Sequence, residues 1–218
     1  MSGHVSPSSG KARSPAGNGA GGARKCAKPL HRRELDTPSA APDIAKPASA
    51  FAALPADLPA AVLVVQHIAR GHTSRLAEML AEGSSLPVRE AREGEAMREG
   101  VVYVAPPDRH LLASPDGRLV LSDEPPEHWS RPSDDPLFRS VAQHYGPRSV
   151  AVVLTGRDSD GSGGVGDVHA AGGTVLVQDP ATARDGSMPR ASIRTGAVDR
   201  VLSLDDIAPA LVSAVAAG

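Results

Sequence analysis

His67 and Asp160 are the residues whose types and surroundings could do chemistry together. His67 ends the run A-V-L-V-V-Q (61–66), and Asp160 stands in the loop T-G-R-D-S-D-G-S-G-G that follows V-A-V-V-L (150–154). Continuous apolar runs of this length read as strands buried on both faces. The glycines after Leu154 let the chain turn sharply and carry polar side chains at a strand's carboxyl end, where open parallel sheets bind ligands. Two such strands in one sheet would bring His67 and Asp160 to one edge. A histidine oriented by a carboxylate is the base half of a nucleophilic triad, because the carboxylate fixes the tautomer and stabilises the imidazolium.

The same loop admits two other readings. Asp158, Asp160 and Ser162 followed by Gly163 imitate the start of a calcium loop, but the twelfth position, which needs a bidentate acid, is His169. Glycines before a helix can also cradle phosphate. The G-K-[ST] ending is absent, however, and two aspartates would repel the anion. No zinc spacing connects His72, His110, His128 and His144 with Cys or acidic partners. His110, after Pro106-Pro107-Asp108, is expected to face solvent, and Trp129 is loop-borne.

The elements that must position these residues alternate. A helix ends in F-A-A-L-P (51–55), strand 61–66 follows, and Leu76, Met79 and Leu80 give a helix capped by Thr73 or Ser74. Short strands are expected at 86–90 and 101–105, then a hairpin turning at Pro115-Asp116-Gly117, and a helix over 134–144. After strand 150–154 come a short helix near 165–171, strand 174–178, a helix begun at Pro189, strand 198–202 and a closing helix over 205–216. Strands alternating with helices, several of them apolar throughout, predict an α/β fold: a mainly parallel three-layer sheet with an inserted β-hairpin.

Composition bounds the rest. The 218 residues carry a formal net charge of −2, which gives no reason to expect nucleic acid or an anionic membrane as partner. Aromatics make up 2% of the chain, so the core must be built from aliphatic side chains. No apolar run is long enough to span a bilayer, no secretory signal is legible, and the single Cys26 cannot form an intrachain disulfide. A cytoplasmic location is expected. Residues 1–50 are rich in Gly, Pro, Ser and Ala without periodicity and read as a disordered extension; residues 51–218 read as the folded domain.

Taken in order, V-V-Q-H-I, T-S-R-L-A-E-M-L, E-G-x-x-x-x-x-G-V-V-Y-V-A-P-P-D-x-H, R-P-S-D-D-P-L-F, V-L-T-G-R-D-S-D-G-S-G-G, A-G-G-T-V-L-V-Q-D-P, M-P-R-A and G-A-V-D-R-V-L resemble the catalytic domain of the CheB-type chemotaxis methylesterases. The resemblance runs from about Phe51 to the C-terminus. It implies a protein-glutamate methylesterase, a carboxylic-ester hydrolase that releases methanol from glutamate γ-methyl esters on chemoreceptors. It further implies a Ser-His-Asp triad in which His67 is the base and Asp160 its orienting acid, with no cofactor. The backbone N–H of Arg157 would help hold the oxyanion; family members usually have Met there, and Gly where Asp158 stands. The implied partner is a methylated chemoreceptor, with no nucleic acid and no membrane insertion.

Upstream the sequence departs from the family. The nucleophile's strand–turn–helix, G-[AS]-S-[TA]-G-G, is not present, and Ser39 in T-P-S-A-A-P is the nearest hydroxyl at roughly the right separation. It lacks the glycines of a sharp turn, and Pro42 and Pro47 oppose the helix that should follow. The expectation is a sheet whose first strand is missing, with an apolar edge exposed to aggregation, and no strand–helix alternation in the tail from which to build a receiver domain. The alternative function is a non-catalytic receptor-binding remnant without the serine nucleophile.

Overall fold

In a computed structural model the described residues are 26–27, 45–67 and 74–217. Ser39 and Thr73 lie outside them.

Strands β2 (Ala61–Val64), β4 (Val102–Val104) and β3 (Val88–Glu90) pair in parallel in that order. So do β7 (Val150–Val153), β8 (Thr174–Gln178) and β9 (Arg200–Leu202). A short strand, β1 (Cys26–Ala27), pairs in parallel with the other edge of β2, Cys26 opposite Ala61, and also approaches β7. Sheet β3-β4-β2-β1 is thus parallel throughout, as is sheet β7-β8-β9, and the two approach each other where β1 contacts β7. This differs from the expectation of a missing first strand. Two residues of the Gly/Pro-rich stretch lie along the edge that β2 would otherwise expose, a pairing that needs only backbone N–H and C=O groups and leaves no sequence signal.

Alternate residues of the strands feed two faces. Val62, Val64, Val102, Val104, Val150, Val152 and Leu176 pack under α1 (Ala45–Ala52), α2 (Leu76–Ala81) and α6 (Leu204–Ala216) through Phe51, Leu76, Leu80, Ile207 and Leu211. On the other face, Leu63 and Tyr103 meet Leu137 and Val141 of α3 (Asp134–Tyr145) and Leu111 and Leu119 of the β5–β6 hairpin (His110–Ala113, Leu119–Ser122). Val153, Val175 and Val177 meet Phe138 of α3, Val165 and Val168 of α4 (Ser162–Ala170) and Met188 of α5 (Ser187–Arg194). The architecture is the three-layer α/β sandwich expected, hairpin included.

Helix α1 starts at Ala45, earlier than the expected onset of order at Phe51. Pro47 does not oppose it. It falls in the first turn, where a missing N–H would have no intrahelical partner anyway. The Ser74 hydroxyl accepts the N–H of Leu76 at 3.2 Å and turns the chain into α2. His110 is not solvent-facing: it is buried in β5 with Nε2 against the carbonyl of Pro125 at 3.2 Å. Here strand pairing overrode its polarity, turning the ring inward beside the hairpin. Trp129, by contrast, is 95% exposed.

Helices α3 and α4 approach so closely that a side chain at Gly164 has no room. A Cβ there would lie 2.5 Å from Phe138 Cβ and 3.2 Å from the Asp135 carbonyl. Gly164→Ala is therefore expected to lower stability by about 2 kcal/mol or more, read as a lower midpoint in urea with an unchanged slope. Unchanged stability would contradict this packing.

Candidate active site at the carboxyl edge of the sheet

β1 pairs with β2 and contacts β7, so the carboxyl ends of β2 and β7, from which His67 and the Asp160 loop emerge, come together where the two sheets meet. In open α/β sheets ligands bind outside the carboxyl ends of the strands. His67 leaves β2 there, and the loop carrying Asp160 leaves β7 there. Across 93 residues of sequence the two meet: His67 Nε2 is hydrogen-bonded to Asp160 Oδ2 with both side chains buried.

Asp160 is held from several directions. Oδ1 accepts from the Ser133 hydroxyl at 2.8 Å, from Asp135 N at 3.2 Å and from its neighbour Gly161 N at 2.8 Å; Oδ2 accepts from Asp134 N at 2.8 Å as well as from His67. The N–H groups of Asp134 and Asp135 belong to the first turn of α3, where they have no intrahelical acceptor. Ser133, the residue before that turn, does not cap its own helix; Asp160 does so from another segment. Burial pushes the Asp160 carboxyl upward, but the bond and charge of His67, with the Asp134 N–H and Ser133 hydroxyl, outweigh burial and hold it far below the usual carboxylate range. An ionised carboxylate only accepts, so the proton in the His67–Asp160 bond sits on Nε2. In the neutral ring Nδ1 then carries the lone pair and is the nitrogen able to take a proton.

Helices α3 and α4 exchange caps. Asp160, just before α4, receives α3's first N–H groups, and Asp135, in α3's first turn, accepts Gly164 N of α4 at 2.7 Å. Burial raises the Asp135 carboxyl, opposed by Gly164 N and by His128, whose Nε2 lies 2.8 Å from Oδ2. The R-P-S segment before α3 is fixed in turn. Arg131 donates to Asp108 Oδ1 at 3.0 Å and 3.1 Å and to the carbonyl of Glu124 at 3.0 Å. Thus the P-P-D and R-P-S motifs, far apart in sequence, together set where Ser133 and α3 begin.

The loop after β7 is anchored from β8 and α5. Gln178 Oε1 accepts Thr155 N at 3.0 Å, Gly156 N donates to the Asp185 carbonyl at 2.9 Å, and Met188 N donates to the Gly156 carbonyl at 3.0 Å. Arg157 Nε donates to Asp185 at 3.2 Å. Asp158 adopts a positive φ of 66°, and the Ser162 hydroxyl donates to the Ser159 carbonyl at 2.6 Å. Of the three residues in the calcium-like pattern, only Asp160 enters the His67 cluster.

Sequence reasoning paired His67 with Asp160 and missed Ser133, Asp134 and Asp135. A Ser followed by two acids at a predicted helix start marks a helix N-terminus in need of acceptors, but not the loop that supplies them. Residues 28–44, which follow β1 and include Ser39, lie outside the described residues.

This is an α/β sheet protein with a buried histidine–carboxylate pair at the carboxyl edge of its strands, and comparisons with known proteins bear on its fold and family. The model of the CheB methylesterase family matches residues 45–211. A protein-glutamate methylesterase/protein-glutamine glutaminase of Anaeromyxobacter dehalogenans is 49% identical over 164 residues, 75% of this chain and 48% of that protein. A protein of the same description from Symbiobacterium thermophilum is 44% identical over 165 residues, 76% of this chain and 46% of that one. The crystal structure of the Thermotoga maritima CheB methylesterase catalytic domain superposes with a TM-score of 0.79 at 30% identity, covering 88% of this chain and 98% of that domain. The chain belongs to the CheB methylesterase family. It spans about half the length of the curated relatives it matches.

Proposed function

We propose that this chain hydrolyses glutamate γ-methyl esters on chemoreceptors, releasing methanol. The observation that carries the reading is the buried His67–Asp160 pair at the carboxyl edge of a CheB-family sheet. A serine hydroxyl attacks the ester carbonyl while His67 Nδ1 takes its proton. The tetrahedral oxyanion is held by backbone N–H groups, with Arg157 supplying one. The protonated imidazole then returns the proton to the departing methoxide, and water hydrolyses the acyl-enzyme by the same base. Asp160 keeps Nε2 protonated and stabilises the imidazolium. The serine comes from the segment that follows β1, because β1 lies between the strands that deliver His67 and Asp160; Ser39 is the candidate there.

The partner is the methylated cytoplasmic region of a chemoreceptor, and the site of action is the cytoplasm. No helix among the described residues is long and apolar enough to cross a membrane. Incubating the chain with receptor membranes methylated with a tritiated methyl donor tests the proposal. Release of volatile tritiated methanol, abolished in His67→Ala, is the expected result. No release above a chain-free control, with the protein folded, would overturn it.

A further inference from the structure

Asp134 is 0% exposed, and neither of its carboxyl oxygens has a hydrogen-bond partner among the described residues. A buried carboxylate without a partner is costly, so the group must be neutralised by a proton or by a cation. What surrounds it favours a cation site. A ring nitrogen of His67, a carboxylate oxygen of Asp134 and one of Asp160 all lie within 4.8 Å of one another, and all three residues are buried. Imidazole nitrogen and carboxylate oxygen are both zinc ligands, and three protein ligands leave the fourth position of a tetrahedral site open. Ligands about 2.0–2.1 Å from zinc stand roughly 3.4 Å apart in a tetrahedron. Side chains already within 4.8 Å reach that spacing by small shifts, the hydrogen-bonded His67 and Asp160 moving apart as the ion enters between them.

The neighbouring set, His128, Asp135 and Asp160, differs. Asp135 Oδ1 is taken by Gly164 N and Oδ2 by His128, so no acceptor there is left to account for. Asp134 has no counterpart to those partners.

We propose that His67, Asp134 and Asp160 form a zinc site that switches the base off. Nε2 coordinates through its lone pair, so the His67–Asp160 hydrogen bond breaks and the single ring proton moves to Nδ1. Asp134 releases its proton to solvent, one Zn–N and two Zn–O bonds form, and two carboxylates balance the charge of the ion. With Nδ1 protonated and Nε2 ligated, the ring has no lone pair with which to take a proton from a nucleophile. The inhibitory consequence rests on the ester-hydrolase reading; zinc binding does not.

The test is calorimetric titration of the full, chelator-stripped chain with zinc chloride in the absence of substrate, with the His67 ring nitrogens followed by long-range proton–nitrogen NMR. Expected are a site whose occupancy shifts His67 to the Nδ1–H tautomer, a loss of affinity of about 100-fold in Asp134→Asn, and retained affinity in His128→Ala. Asp134→Val, which removes the donor oxygen altogether, serves as a second variant, and a thermal melt confirms that each variant folds. Zinc that binds Asp134→Asn as tightly as the parent, or that leaves the His67 tautomer unchanged, overturns the proposal. So does the absence of binding, which would make Asp134 simply a protonated acid. Because occupancy is read without substrate, failure of the zinc site leaves the esterase reading standing, and the reverse also holds.

Discussion

Asp160→Asn is expected to lower methyl ester turnover by about four orders of magnitude and to lower the melting temperature as well. The two effects have one origin. Five donors converge on the two carboxylate oxygens: His67 Nε2, the Ser133 hydroxyl and the N–H groups of Asp134, Asp135 and Gly161. An amide offers one oxygen. If that oxygen faces His67 and Asp134, the amide NH2 points at Ser133, Asp135 and Gly161; turned over, it points at His67 and frees the other tautomer. Each buried N–H left without an acceptor costs about 1–3 kcal/mol, and the wrong tautomer puts the proton on Nδ1. Catalysis and folding should therefore fall together at this position. The measurement is single-turnover hydrolysis alongside a thermal melt. A variant that melts lower but keeps parental turnover would remove Asp160 from the mechanism while leaving it as the cap of α3.

The second large effect has the opposite sign. Asp134→Val is expected to stabilise the metal-free protein at neutral pH by about 1–3 kcal/mol. Burial, with the nearby charges of Asp160 and Asp135, raises the Asp134 carboxyl well above its ordinary range. For a carboxyl so raised, the folded form holds its proton longer than the unfolded form. Its contribution is then fully present below the unfolded value of about 3.9 and is lost as pH rises through the folded value. Asp160 runs the other way: depressed in the folded state, it stabilises above the unfolded value, and this stability is lost as pH falls through the folded one. The gain from Asp134→Val should be near zero in strong acid and grow toward neutral pH, whereas Asp160→Asn should lose least in strong acid. Urea melts across pH in the presence of a chelator would show both trends. A gain that does not change with pH would contradict an ionisable, unpartnered Asp134.

What the sequence made legible follows from how local each signal is. The strands over 61–66, 150–154 and 174–178 announce themselves as apolar runs because they are buried on both faces. The hairpin announces itself through its Pro-Asp-Gly turn, where Gly117 indeed has a positive φ of 79°. His67 and Asp160 were readable as a pair because both follow such strands. β1 was not readable: Cys26–Ala27 joins the sheet through backbone pairing alone, in surroundings that look like a tail. The buried position of His110 was hidden because a polar side chain in a strand does not say which face it takes. The reciprocal capping of α3 and α4 was hidden for another reason. A helix start shows that it needs acceptors, but not which distant loop supplies them, and here Asp160 is reached only after the fold brings α3 to β7.

Labelling with a fluorophosphonate tests most directly whether His67 and Asp160 serve a serine nucleophile. The purified chain should be modified at one serine, located by peptide mass mapping in the segment between β1 and α1, and the labelling should vanish in His67→Ala. Folded protein that takes up no label, or a serine labelled equally well without His67, would contradict the account.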